Sequence, residues 1–191
     1  MIKIIAVTYG HDKEVDVFLN SLILQTSDEW ELWLVHDGIP PKSLRDKMVK
    51  FNHDRRIHFD WSSQRVGAWG HANRGEWLKK IKATDEDYVL LTNADNYYVP
   101  IFIETMLIQT MRNRVGFIYC DTIHSHLGYK YHISTPCEGG IDMGAFIVRA
   151  DIAKGVGFRW THFSADGRYA QECADASGDT VHVHMGLFVH N

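Results

Sequence analysis

The sequence predicts an α/β domain built on a mainly parallel central sheet flanked by helices. Two observations predict it. Over the first 120 residues, short apolar runs rich in β-branched residues alternate with segments whose apolar residues recur at helical spacing. Each apolar run also ends in a polar turn containing Gly, Asp, Asn or Ser.

The elements follow in order. Ile2–Thr8 reads as a first strand closed by Gly10. Residues 14–25 place Val15, Phe18, Leu19, Leu22 and Ile23 on one helical face. Residues 30–35 form a second strand, ended by His36-Asp37-Gly38 and a Pro-Pro pair. Helices are expected over 42–51, 66–81 and 100–111, the last with Pro in its permissible first turn. Strands are expected over 56–61, 88–92 and 115–120. Beyond Asp121 the rhythm breaks, leaving strand fragments near 129–133, a strand over 144–149, a helical turn over 150–155 and an alternating strand over 180–189. No repeat or linker interrupts the chain, so its 191 residues are expected to form one domain. The regular alternation covers about 1–121 and the broken pattern about 122–191.

Composition narrows the function classes. A 45% hydrophobic content supports a packed core, and a net charge of −4 offers no general attraction for nucleic acid or an anionic membrane. No apolar stretch is long enough to suggest a membrane anchor. Three widely spaced cysteines without a CxxC pair argue against a disulfide framework and for a reducing, cytoplasmic setting.

In a parallel α/β sheet, ligands gather beyond the carboxyl ends of the strands. The polar clusters at those ends are Thr8-Tyr9-Gly10, His36-Asp37-Gly38, 62–67 and 93–96. Asp95, in VLLTNADN, offers a carboxylate to a hard cation such as Mg²⁺ or Mn²⁺, or else caps the turn that follows. Asp37 can accept a hydrogen bond from the imide of a uracil base, or serve an ordinary Asp-Gly turn.

Taken together, these segments resemble family 2-like glycosyltransferases of the GT-A fold, from VTYG to the late SADG. The resemblance implies transfer of a hexose from a UDP-sugar, UDP-glucose or UDP-galactose first among them, to a hydroxyl acceptor with inversion. It makes about 1–121 the nucleotide-binding part and about 122–191 the acceptor side, and assigns Thr8, Tyr9 and Asp37 to the nucleotide. Gly67, in RVGAWGHANR, falls on the donor-facing turn, with His71 and Arg74 as looser matches on the helix after it; Arg74 either reaches a phosphate or is a surface helix residue. Asn93-Ala94-Asp95 stands in the place of a D-x-D motif, its first carboxylate replaced by Asn93. The resemblance makes Asp95 the principal metal ligand for Mn²⁺ or Mg²⁺, completed by His184, with His182 as competitor. Gly144 and Ala145 match an acceptor-side turn, or simply mark close strand packing. Asp166 stands where inverting members carry the catalytic base; it could instead cap a helix, and Glu172 and Asp142 are the alternatives. Two other readings remain beside this one: a non-catalytic nucleotide-sugar binding module, and a sugar-phosphate nucleotidyltransferase, which usually carries a Gly-rich basic first loop that TYGHDKEV lacks.

Overall fold

A computed structural model describes residues 1–113 and 115–191. In chain order the strands are β1 (Ile2–Thr8), β2 (Trp30–His36), β3 (Ile57–Trp61), β4 (Tyr88–Asn93), β5 (Tyr97–Tyr98), β6 (Phe117–His124), β7 (Lys130–His132), β8 (Phe146–Arg149) and β9 (Thr180–His190). The helices are α1 (Glu14–Ile23), α2 (Lys42–Val49), α3 (His71–Lys80), α4 (Phe102–Asn113), α5 (Ala150–Val156) and α6 (Ala165–Ser177).

The strands join one sheet in the order β3-β2-β1-β4-β8-β6-β9-β5, with β7 paired to β6. β1 to β4 are mutually parallel wherever they pair, as strand–helix alternation requires. The β1 and β4 sequences are apolar on both faces, and every residue of β4 but Asn93 is buried. The second half is mixed. β8 enters antiparallel between β4 and β6, whereas β9 runs parallel to β6. The expected strand over 115–120 is thus two places from β4, not its neighbour.

One apolar core unites both halves, from Ile2, Phe18 and Trp30 to Phe146, Tyr169 and Phe188. Gly144 is buried in it, and a Cβ there would overlap the Phe188 ring. Close packing therefore explains that glycine. No described helix is long and apolar enough to cross a membrane.

The helix expected over 66–81 begins only at His71. Gly67, Ala68, Trp69 and Gly70 all have positive φ, from +46° to +75°. L-residues disfavour that region, so the chain forms a tight left-handed loop before the helix can start.

Candidate functional site

Two clefts open along the carboxyl ends of the parallel strands and meet at Trp69 and Asn93, which line both. The first encloses about 440 Å³ between Thr8, Tyr9, Asp37, Gly67 and Asp95. The second encloses about 350 Å³ and is lined by Arg74, Asp142, Phe163, Asp166 and His190 among others.

The first cleft is built from β1, β2 and β4. Thr8 ends β1 with a buried hydroxyl that has no hydrogen-bond partner. Tyr9 is exposed, and the guanidinium of Arg65 lies 3.9 Å above its ring, a cation–π pair at the cleft mouth. Asp37 is 2% exposed and accepts from the amides of Val66 and Gly67, both at 2.9 Å, and from Asn73 Nδ2 at 2.9 Å. Its carboxylate therefore organises the loop rather than standing free for a base. Gly67 supplies positive φ, and a Cβ there would meet nothing, so conformation and not space demands glycine.

Arg74 joins the clefts from beneath. It is 1% exposed, and among the described residues no carboxylate pairs with it directly. Its guanidinium donates to the Trp69 carbonyl at 2.7 Å, to His71 Nδ1 at 3.1 Å and to the Asn93 side-chain oxygen. Burial opposes its charge, and the nearby Asp166 and Asp95 favour it. His71, desolvated and beside that cation, is pushed down to about 4 and stays neutral. Arg74 is therefore an anchored charge between the two clefts, not a mobile arm.

Because Arg74 occupies the Asn93 oxygen, Asp95 is the motif position left to meet a cation. Asp95 Oδ1 is buried without a partner, and Oδ2 lies 4.0 Å from His11 Nε2. With Oδ2 at that spacing from a second ligand-type atom and Oδ1 unpartnered, Asp95 and His11 are the residues here that would hold a divalent cation. Sequence reading missed His11, Arg65 and Trp69, all lining this cleft.

In the second cleft, Asp166 lies in the first turn of α6 and accepts from the Met143 amide at 3.2 Å. The N-cap is Ser164, so Asp166 does not cap this helix. The backbone comes close because Gly167 has no Cβ to strike Cys137 and Glu138. Burial raises the Asp166 carboxyl above its ordinary range, against the pull of Arg74 and the Met143 amide. Burial also works against ionised Asp142, yet His190 and His124 hold its carboxyl below its ordinary value. Glu172 pairs with Arg159 and Arg168 and lines neither cleft.

The structure does not bring His184 to Asp95. The His184 ring lies tilted against His182 with centroids 3.8 Å apart, and His182 Nε2 meets Asp121 Oδ1 at 2.7 Å. Neither histidine lines a cleft; the β9 histidine that does is His190. The cause is local. β9 shifts register opposite Cys120, Asp121 and Thr122, which breaks the alternation that a regular strand implies.

Comparison with known proteins gives the family and the fold. The family model for glycosyl transferase family 2 matches residues 3–135, and the chain belongs to that family. Its GT-A fold is that of S. aureus TarS 1-349, with a TM-score of 0.81 at 13% identity over 100% of this chain and 60% of that one. The TarS fragment in complex with UDP-GlcNAc is similar at TM-score 0.79 and 13% identity, covering 99% of this chain and 58% of that one. A mannosyltransferase from Pyrobaculum calidifontis, in complex with GDP-Man and Mn²⁺, has a TM-score of 0.76 at 13% identity, over 99% and 56% of the two chains. The chain thus spans about three-fifths of these structures' length. No curated protein matches its sequence.

Proposed function

We propose that this chain transfers a sugar from a nucleoside diphosphate to a hydroxyl acceptor, with inversion. The observation that carries the reading is the meeting of two clefts at Trp69 and Asn93, with Asp95 on one side and Asp166 on the other. Transfer needs that order: leaving group, sugar, acceptor and base in line.

In this reading the donor's diphosphate and base lie in the first cleft, near Thr8, Tyr9 and Arg65. Asp95 and His11 would hold Mg²⁺ or Mn²⁺, which offsets the charge of a departing diphosphate when bound. Arg74 adds a fixed positive potential from below. Asp166 takes the proton of the acceptor hydroxyl as that oxygen attacks the anomeric carbon. Inversion is favoured because Asp37 and Asp95 are the only carboxylates lining the first cleft among the described residues, and Asp37 is held by two amides. A double displacement would need a free nucleophile there.

The similar structures carry UDP-GlcNAc and GDP-Man, so they favour neither glucose nor galactose. UDP-sugars remain the first donors to test. A panel of UDP- and GDP-sugars, assayed for released nucleoside diphosphate with and without Mn²⁺, decides the matter. The expected result is metal-dependent release from one donor, abolished in Asp95→Ala. Unchanged metal-dependent turnover by that variant, or no binding of UDP or GDP in calorimetry, overturns the reading.

A further inference from the structure

Four histidines and a carboxylate converge on the wall of the second cleft. His124 ends β6, His126 lies in the 3₁₀ turn after it, His132 ends β7 and His190 ends β9. The His124 ring lies 5.3 Å from His126 and 5.4 Å from both His132 and His190. One ligand-type nitrogen from each of His124, His126 and His190 falls within 4.8 Å of the others. Asp142 places Oδ2 3.0 Å from His124 Nε2 and Oδ1 3.1 Å from His190 Nδ1. Despite that proximity, His124 Nε2, Asp142 Oδ2 and His190 Nδ1 are buried without a well-directed hydrogen bond. Buried polar atoms left in this state are uncommon and call for a cause.

We propose that His124, His126 and His190 form a binding site for a nitrogen-preferring transition-metal ion of the Zn²⁺ class, with Asp142 orienting the rings. Zinc binds imidazole at about 2.0–2.1 Å, so the three nitrogens need to draw inward only modestly. The exposed His126 ring is free to make that movement. The donor set separates this position, with three imidazoles, from the one at Asp95, with a carboxylate and a single imidazole. Imidazoles suit Zn²⁺, Cu²⁺ or Ni²⁺, whereas carboxylate and phosphate oxygens suit Mg²⁺ and Mn²⁺. A carboxylate touching ligating histidines fixes their ring orientation and raises their basicity. Three protein ligands leave a fourth position open, and here it faces the second cleft. None of the three histidines lines the first cleft, but all three share the second with Asp166, so the site is tested by its own metal-binding signal and not by turnover.

The test uses tag-free, chelator-stripped protein titrated with Co²⁺ and then Zn²⁺ at neutral pH. One equivalent of Co²⁺ should bind with visible d–d absorption that Zn²⁺ bleaches. Asp95→Ala should retain this signal. His126→Ala and His124→Gln should each weaken binding at least about tenfold, and Asp142→Asn about 10–100-fold, the usual cost of losing an orienting partner. His126→Ala removes an exposed ring, and an unchanged metal-free melting temperature would show that it folds. Three results overturn the site: no stoichiometric binding to the parent, full affinity in either histidine variant, or loss of the signal in Asp95→Ala. Calorimetry with UDP and GDP on the same proteins tests the donor reading separately.

Discussion

At the scale of single residues, Asp166 and Asn93 carry the most chemistry for their size. Burial raises the Asp166 carboxyl above its ordinary value of 3.8, so the protonated form persists to higher pH in the folded chain. In its proposed role as base it works only when ionised, and transfer should therefore fall as pH drops through that raised value. The stability effect has the opposite sense. As pH rises from the unfolded value toward the folded one, the unfolded chain loses this proton first, and the fold is weakened. Asp166→Asn should thus abolish transfer, keep UDP or GDP binding, and melt higher than the parent at neutral pH. That advantage should vanish near pH 3, and paired thermal melts with a transfer assay check both halves. Asn93 shows why a motif read alone can mislead. Its side-chain oxygen is taken by Arg74, a partner 19 residues earlier in the chain and visible only once the fold is formed.

At the scale of elements, the loop before α3 deserves its geometry. Asp37 holds the amides of Val66 and Gly67 at one end, and Arg74 holds the Trp69 carbonyl at the other. Between them Trp69 sits at φ +54° with 60% of its surface exposed, in edge contact with Phe163. A left-handed non-glycine residue costs about 1–2 kcal/mol, and an exposed tryptophan recovers little of that by burial. The strain is understandable if the ring serves the sugar as it passes between clefts. Trp69→Gly should leave urea stability equal to or above the parent's while lowering transfer by about tenfold or more. Equal turnover would show that the ring is a bystander. The same loop marks the limit of sequence reading. Apolar spacing located β1 to β4 and the polar edge that holds Asp37 and Asp95, whereas Asp166 was legible only through the family resemblance. Spacing also extended a helix through Val66–Gly70 because periodicity carries no record of backbone sign. Likewise, the resemblance pointed to His184, while the β9 histidine that lines a cleft is His190, beyond the register shift.

At the scale of the whole molecule, the sheet decides how the clefts are held. β9 lies inside it, between β6 and β5, and Phe188 on that strand packs on Tyr98 with centroids 5.4 Å apart. Phe188 is fully buried, so Phe188→Ala should cost about 3–5 kcal/mol, measured by urea unfolding. That is a large share of a typical domain's stability of about 5–15 kcal/mol. A loss below about 1 kcal/mol would mean that β9 is docked more loosely than its position implies. The central place of β9 has a further consequence for biosynthesis. While a ribosome is still making this region, β1 to β4 can already pair, and the nucleotide-side groove can take shape. The strand that brings His190 emerges after all the others, yet it must enter the interior of the sheet. A nascent chain stalled before Thr180 would therefore hold half a workplace: the groove at the ends of β1, β2 and β4, without the opposite wall that His190 completes.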